Sequence, residues 1–159
     1  MWIRDVHDDD LEVFYGHQLD PEAIRMAAFP PRDRDAFMAH WATIRADDTV
    51  VLQTVVVDGQ VAGNVVSWEQ DGRRLVGYWF GRDHWGRGIA TRALALFLDR
   101  VPLRPLYAQV AVHNAGSIRV LEKCGFRPVP AHEVAHPAGV ADDVEEVLFV
   151  LEETGSFGN

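Results

Sequence analysis

Cysteine is almost absent from this sequence: its 159 residues include one, Cys124, which excludes an intrachain disulfide. A metal site built from cysteines is disfavoured for the same reason. The histidines include one pair four residues apart, His132 and His136, but Pro130 and Pro137 disfavour the regular helix that would bring such a pair together. We therefore predict no metal site and interpret these histidines as solvated loop residues.

Long apolar runs are also missing. The longest, Thr49–Val57, is too short to span a bilayer, and polar residues interrupt it. The start, Met1–Asp5, lacks the basic region followed by an apolar region that marks a signal peptide. With 48% hydrophobic and 25% charged residues, the composition is that of a globular protein. We expect a soluble cytoplasmic protein in which residues 1–159 form one domain with a single core.

The excess of positive charge that general nucleic-acid binding requires is lacking too, because the net charge is −9. The charge is nevertheless uneven along the chain. Residues 82–123 contain seven Arg or Lys against three Asp or Glu, a balance of +4, so the rest of the chain carries −13. A basic middle in an acidic chain favours an anionic ligand bound there, although Arg-rich helix faces would explain part of the imbalance.

Hydrophobic periodicity and turn residues divide the chain into helices and strands, with no internal repeat and no linker between domains. Helices are predicted at Asp8–Leu19, Glu22–Ala28, Asp33–Arg45, Ile89–Asp99 and Asn114–Lys123. Strands are predicted at Trp2–Asp5, Val50–Val57, Gln60–Glu69, Arg74–Gly81, Leu106–Val112, Phe126–Val129 and Val144–Leu151. The remaining segments are a predicted loop, Ala131–Ala141, and a frayed end, Glu152–Asn159.

The order of these elements predicts the fold class. Asp58-Gly59 and Asp71-Gly72 have the composition of hairpin turns, so the three strands they connect should form an antiparallel meander. Strands and helices alternate after the meander. This order is typical of a mixed α/β sheet with helices on both faces.

One stretch combines a strand, a glycine-bearing turn and the start of a helix, from Val76 to Thr91. The first backbone N–H groups of a helix have no partner within it and carry the positive end of the helix dipole. Gly86 and Gly88 would let a ligand approach that backbone closely, and a phosphate group is the matching ligand. The turn lacks both the Gly-Lys-Ser/Thr of a Walker loop and the third glycine of a dinucleotide fingerprint.

A second stretch, from Leu106 to Phe126, runs from a strand into a helix. Asn114 stands where a helix N-cap is expected, and Ser117 follows three residues later near the same end. An ordinary N-cap and a surface hydroxyl would explain these two residues without any function. The rest of the chain is needed to decide between these interpretations.

Together, the two stretches resemble the GNAT acyltransferases, and most closely the branch that includes the ribosomal-protein N-terminal acetyltransferases. The first carries Gly-Tyr-Trp-Phe followed by Trp-Gly-Arg-Gly-Ile-Ala-Thr, and the second carries Asn-x-x-Ser-x-Arg-x-Leu-Glu-Lys-x-Gly-Phe. The resemblance is strongest over residues 74–127. It implies a single GNAT-like domain with a twisted, mostly antiparallel sheet of about seven strands and helices on both faces.

The resemblance also implies acetyl-CoA as co-substrate and assigns residues to it. In this family the strand before the loop pairs with pantetheine, the loop amides bind the pyrophosphate, and the Asn of the second motif contacts the pantetheine. Arg87 could add a side-chain charge, and Arg119 could reach the adenosine 3′-phosphate, although it could equally face solvent. The implied cofactor-binding residues are Phe80, Gly81, Arg82, Arg87, Gly88, Ile89, Ala90, Thr91, Asn114 and Arg119.

For catalysis, the resemblance implies direct transfer from the thioester to an amine, with a strand N–H near Phe80 or Gly81 polarising the carbonyl. Many family members place a Tyr acid where this chain has Leu121, so Ser117 is the candidate donor to the departing thiolate. Cys124 is interpreted as a packing residue.

The base is harder to assign, because this branch often has a Glu where this chain has Leu75. Glu69, acting through water, is the candidate base, and Asp83, His84 and His113 are weaker alternatives.

These residues lead to one main hypothesis and two alternatives. The main one is an N-acetyltransferase that acts on a primary amine of a small molecule or on a protein N-terminus. A CoA-binding sensor that has lost catalysis is the first alternative, because the acid and base positions depart from the family. A purely structural partner-binding protein is the second. We expect no nucleic-acid or membrane partner, and a homodimer is possible.

Overall fold

Seven strands form one sheet in the computed structural model, which describes residues 1–27, 30–130 and 145–152. In chain order the strands are β1 (Trp2–Asp5), β2 (Val51–Val57), β3 (Gln60–Gln70), β4 (Arg73–Phe80), β5 (Leu106–Ala111), β6 (Arg127–Pro128) and β7 (Glu146–Leu151). The helices are α1 (Asp10–Gln18), α2 (Pro21–Ala27), α3 (Arg34–Ala46), α4 (Ile89–Arg100) and α5 (Ala115–Lys123).

The predicted elements are confirmed, with bounds that differ by one or two residues in most cases. A short 3₁₀ helix at Arg82–His84, between β4 and α4, was not predicted, because three residues are too few to show a periodic pattern. Four predictions reach outside the described residues: the loop Ala131–Ala141, most of the frayed end Glu152–Asn159, the last residue of the helix Glu22–Ala28 and the first residue of the strand Val144–Leu151.

The strand order is β1-β2-β3-β4-β5-β7-β6. Strands β2, β3 and β4 form the predicted antiparallel meander, and their connecting turns place Asp58, Gly59, Asp71 and Gly72 at positive φ. Two consecutive residues at positive φ define the tight turn that suits the twist of a hairpin. Within the described part of the chain, β4 and β5 are the one parallel pair of neighbours.

The two faces of the sheet carry separate apolar clusters. Leu94 and Phe97 of α4 are fully buried against one face, where α5 also packs. On the other face, α1 and α3 contribute Phe14, Phe37 and Trp41 to a second cluster. Helices therefore cover both faces, as the sequence predicted, and the strand alternation divides the side chains between them.

Strands β4 and β5 separate soon after they meet. Their shared register consists of Leu75 opposite Tyr107, and no later pair joins them in the described residues. At the end of β4, the Gly81 N–H donates to the Ala62 carbonyl at 2.8 Å, so Gly81 faces β3. Because adjacent residues of an antiparallel strand direct their peptide groups to opposite sides, Phe80 directs its N–H toward the gap beside β5.

Candidate active site

The turn between β4 and α4 has the geometry of an anion cradle. Gly86 and Gly88 have φ of 74° and 73°, and no atom lies within 4 Å of where a Cβ would stand. Gly88 is the N-cap of α4 in a left-handed conformation, so no side chain caps the first turn. The amides of Ile89, Ala90 and Thr91 therefore remain for an incoming anion.

A tryptophan fixes this turn against the strand before it. The Trp85 indole Nε1–H donates to the Phe80 carbonyl at 3.1 Å, which ties the turn to the end of β4. Trp85 directly precedes Gly86, so this contact acts on the turn itself. The carbonyl of Phe80 is thus occupied, and the N–H of Phe80 is the strand group that faces the gap.

The side chains of the predicted arginines are all exposed. Arg82 pairs with Asp20 at 3.3 Å, with its side chain 59% exposed. Arg87 is 51% exposed and stands 3.9 Å from Asp58, a weak contact in water. Arg119 is exposed on α5.

At the opposite side of the gap, the start of α5 presents its polar residues. The Asn114 side chain caps the helix, since its Oδ1 accepts from the Ser117 N–H at 3.1 Å. The structure therefore confirms that Asn114 is a helix N-cap, which the sequence suggested as an explanation that involves no function. It uses the oxygen of the amide, which leaves the Nδ2 end of the side chain as the part able to contact a ligand.

Ser117 is joined to a residue to which the sequence assigned no role. The hydroxyls of Ser117 and Tyr78 lie 2.7 Å apart, and the Tyr78 hydroxyl is also 3.3 Å from the Ser117 carbonyl. Burial raises the pKa of Tyr78 to about 12, although the hydrogen bond with Ser117 opposes the shift. Tyr78 therefore stays protonated, and its O–H can donate to Ser117 and release the serine hydrogen for another acceptor.

The comparisons with known proteins agree with this geometry. Residues 1–127 match the family model described as the acetyltransferase (GNAT) domain. The chain belongs to the GNAT acetyltransferase family. A protein described as an uncharacterized N-acetyltransferase from Bacillus licheniformis is 32% identical over 82 residues, or 49% of this chain and 46% of the relative. The chain spans about half the length of the curated relatives it matches.

Solved GNAT structures share the fold over nearly the whole chain. The spermidine N-acetyltransferase of Vibrio cholerae, solved with CoA and spermine, superposes with a TM-score of 0.80 at 15% identity, covering 96% of this chain and 95% of that one. The ribosomal-protein-alanine N-acetyltransferase of Brucella melitensis gives 0.74 at 18% identity, covering 96% and 99%. At such identities the likeness establishes the fold alone.

The predicted bases are not gathered at the gap of this GNAT domain. Glu69 is exposed and lies opposite Arg74 in the register of β3 and β4, at the hairpin end of the two strands. Tyr78 lies four residues further along β4, about 13 Å away at the usual rise of a strand. Glu69 would therefore need a chain of waters to reach an amine at the gap.

The weaker candidates for the base, His113, Asp83 and His84, lie in different environments. The ring Nε2 of His113 is 2.7 Å from the Arg25 carbonyl of α2, so this histidine is already engaged. Asp83 is exposed in the 3₁₀ helix, and the Nδ1 atom of its neighbour His84 is buried without a hydrogen-bond partner among the described residues.

Cys124 behaves as the packing residue that the sequence suggested. Its Sγ is 3.5 Å from the Thr91 carbonyl, and burial raises the pKa of its thiol. A raised thiol pKa lowers the fraction of thiolate, the form that reacts as a nucleophile.

Neither metal ligation nor a membrane span is found in residues 1–27, 30–130 and 145–152. No group of three or more His, Cys, Asp or Glu is placed there to hold a metal ion. No helix of those segments is both long and apolar enough to cross a bilayer.

Proposed function

We propose that this chain transfers the acetyl group of acetyl-CoA directly to a primary amine, on a small molecule or on a protein N-terminus. The observation that carries the proposal is the gap between β4 and β5. The uncapped start of α4 follows β4 after a short turn, and the hydroxyl pair of Tyr78 and Ser117 joins β4 to the helix that follows β5. A long ligand with a phosphate end and a reactive thioester end matches this arrangement.

In this proposal the pyrophosphate accepts hydrogen bonds from the α4 amides, with the Arg87 side chain able to add charge. The pantetheine lies along the end of β4, where Phe80, Gly81 and Arg82 form the wall of the gap. Asn114 contacts it from α5. Arg119 is proposed for the adenosine phosphate, which its exposure on α5 permits.

The chemistry needs no enzyme nucleophile. The amine nitrogen attacks the thioester carbonyl, whose oxygen accepts from the Phe80 N–H as negative charge develops. The C–N bond forms, the C–S bond breaks, and the CoA thiolate leaves. Ser117 donates a proton to the thiolate, and the proton lost by the new amide nitrogen restores the balance.

Tyr78 supports the role of Ser117 because a hydroxyl held at one place donates along one direction. The Tyr78 hydroxyl reaches Ser117 at 2.7 Å from a partly buried position beside the Phe80 ring. It orients the serine so that its hydrogen is directed into the gap.

Two further features of the proposal concern its extent and its acceptor. Residues 1–159 are proposed to act as one domain, since β7 completes the sheet beyond the 127 residues that the family model matches. The motif resemblance supports the branch of ribosomal-protein N-terminal acetyltransferases. An N-terminal amine and a polyamine are both cationic, and the net charge of −9 suits either acceptor.

The test is release of free CoA thiol from acetyl-CoA in the presence of amines. The panel should include polyamines, aminoglycosides and peptides with free N-termini, and mass spectrometry should identify the acetylated product. Amine-dependent thiol release with a matching acetyl-amine supports the proposal. Tight CoA binding without turnover on the whole panel would favour the CoA-sensing alternative instead.

A further inference from the structure

A small pocket lies beside the end of β4, on the face of the sheet that α1 covers. Its volume is about 280 Å³, and it is lined mainly by residues of the α1 end and of the 3₁₀ helix, including His17, Asp20, Gly81, Asp83 and His84. Of these residues, His17 belongs to α1, and it has no role in the sequence motifs. The pocket brings them within reach of the strand that borders the gap.

His17 is held over the strand by two contacts. Its backbone carbonyl accepts from the Trp79 indole Nε1–H at 3.2 Å. Its ring lies so close to Gly81 that a Cβ at that position would stand 2.6 Å from the ring Nε2. A side chain at position 81 would therefore displace the imidazole, which occupies the space that a Cβ would take.

The surroundings keep this imidazole neutral. Burial lowers the pKa of His17, the charge of His84 lowers it further, and Asp83 opposes the shift. The other charged groups that line the pocket are Asp20 and Arg82, which pair with each other at 3.3 Å. The Nδ1 atoms of His17 and His84 are buried and have no hydrogen-bond partner in the described residues.

We propose that His17 is the general base that deprotonates the acceptor ammonium, and that this pocket is where the acceptor nitrogen approaches. The proposal rests on the acetyl transfer proposed above. Gly81 follows Phe80, whose N–H faces the gap in which the thioester is proposed to lie, so a base over Gly81 would stand one residue from the proposed reaction centre. A neutral imidazole with a lowered pKa can accept a proton at neutral pH.

The protons balance as follows. The ammonium R–NH₃⁺ passes one proton to the imidazole, which becomes imidazolium, and the neutral amine forms the C–N bond. The C–S bond then breaks, and the thiolate takes up the second proton of the nitrogen through Ser117. The imidazolium returns its proton to solvent, so acetyl-amine, CoA thiol and one proton are the products.

The test compares His17→Gln with His40→Gln, using the acceptor that gives the best turnover. His40 is a matched control, because burial also lowers its pKa but it lies on α3, away from the pocket. We expect kcat/KM of the wild type to fall as pH drops below 6.5, the ordinary histidine pKa. His17→Gln should lose this acid limb and about 10²-fold in kcat, and His40→Gln should keep both.

A second measurement separates a base from a merely structural residue. An acceptor whose amine is already neutral at the assay pH needs no base, so His17→Gln should turn it over nearly as well as the wild type. His84→Gln removes a charge that lowers the pKa of His17, and it should move the acid limb to higher pH.

The outcomes are distinguishable. A wild type that consumes no acetyl-CoA with any amine would contradict the proposed function itself. A wild type that turns over, with His17→Gln equally impaired toward weakly and strongly basic amines, would show that His17 only shapes the pocket. An unchanged acid limb in both His17→Gln and His84→Gln would overturn the inference.

Discussion

The two sides of the gap differ in how they are built. The proposed cofactor side combines the backbone amides after the glycine turn before α4 with polar side chains at the start of α5, and each set comes from one short continuous stretch. The proposed acceptor side depends on contacts between distant segments, such as the one from the Trp79 indole to the carbonyl of His17. Backbone sites are encoded by local glycine and cap patterns, which a sequence displays. Side-chain sites exist only once the chain has folded.

The hydroxyl pair of Tyr78 and Ser117 belongs to both sides of the gap, and substitutions in it should give the largest effect. Ser117→Ala should lower kcat by about 10²-fold with little change in the KM for acetyl-CoA, because it removes the donor to the thiolate. Tyr78→Phe should lower kcat less, because the serine remains but loses its orientation. Initial rates at saturating amine measure both effects.

Coupling between these two residues is the decisive quantity. The double variant should be hardly worse than Ser117→Ala alone, since residues in one hydrogen-bonded unit are not additive. Tyr107→Phe, a tyrosine whose ring contacts Arg73, is the matched control and should leave kcat unchanged. Additive losses for Tyr78 and Ser117 would mean that the Tyr78 hydroxyl acts independently of Ser117.

The acceptor side also depends on how α1 is anchored to the sheet. Asp10 is 2% exposed and pairs with Arg4 at 2.7 Å, while Thr54 donates to it at 2.8 Å. Burial opposes its ionisation, but the hydrogen bonds from Arg4, the His7 N–H and Thr54 outweigh this and lower the pKa of Asp10 from 3.8 to about 2. Ionised Asp10 therefore stabilises the fold.

Asp10→Asn should lower the free energy of unfolding at pH 7 by about 2 kcal/mol. A depressed carboxyl pKa gives stability that is present above the unfolded pKa and lost as pH falls through the folded one. The difference between wild type and variant should therefore shrink between about pH 4 and pH 2. Urea unfolding across that range measures it. A constant difference would mean that the charge of Asp10 does not contribute.

The difference between local backbone signals and contacts between distant side chains also explains which features could be predicted from the sequence. The helices, the meander and the glycine turn before α4 were predictable, because the apolar spacing of α4, Asp58-Gly59 and the Gly86–Gly88 turn are local signals. The pairing of Tyr78 with Ser117 was not, since a tyrosine in an aromatic strand looks like any core residue. Alternation could have suggested it, because Tyr78 and Phe80 share a face of β4.

The proposed base shows why side chains are the harder part. Glu69 was chosen from its position in the strand before the motif, but the register puts it at the hairpin end, opposite Arg74. His17 could not be found from spacing, because its ring meets Gly81 only through the packing of α1 on the sheet. The sequence shows the glycine at position 81, but not the imidazole ring that lies against it.

The cofactor side can be tested with a pair of glycines in the same conformation. Gly88 and Gly72 have φ of 73° and 77°, and both have open space where a Cβ would stand. Gly88→Ala and Gly72→Ala should therefore each cost about 1 kcal/mol of stability from backbone strain. Only Gly88→Ala should also weaken CoA binding, by about tenfold, because it disturbs the amides of the cradle.

Calorimetric titration with CoA measures that difference, and thermal unfolding confirms that the two strains are equal. A similar loss of affinity in Gly72→Ala would show that the cradle is sensitive to general destabilisation. Unchanged affinity in both would remove the α4 amides from the CoA site.

The smallest expected effect is a loss of CoA affinity that distinguishes the capping role of Asn114 from its proposed contact with pantetheine. The caps of two helices provide a matched pair of sites for this test. Asn114 caps α5, and Asp33 caps α3 by accepting from the Ala36 N–H at 2.8 Å. Asn114→Ala and Asp33→Ala should each lose about 1 kcal/mol of stability. Asn114→Ser keeps a capping oxygen but removes the amide nitrogen, so it should keep the stability.

CoA affinity then decides whether the amide does more than cap. If Asn114 contacts pantetheine, Asn114→Ser should bind CoA several-fold more weakly, in line with the loss of one hydrogen bond of about 1 kcal/mol. Asp33→Ala should bind CoA normally, because α3 lies on the other face. Equal affinity in the wild type and in Asn114→Ser would leave Asn114 as a cap alone, and the pantetheine would then be held by the strand.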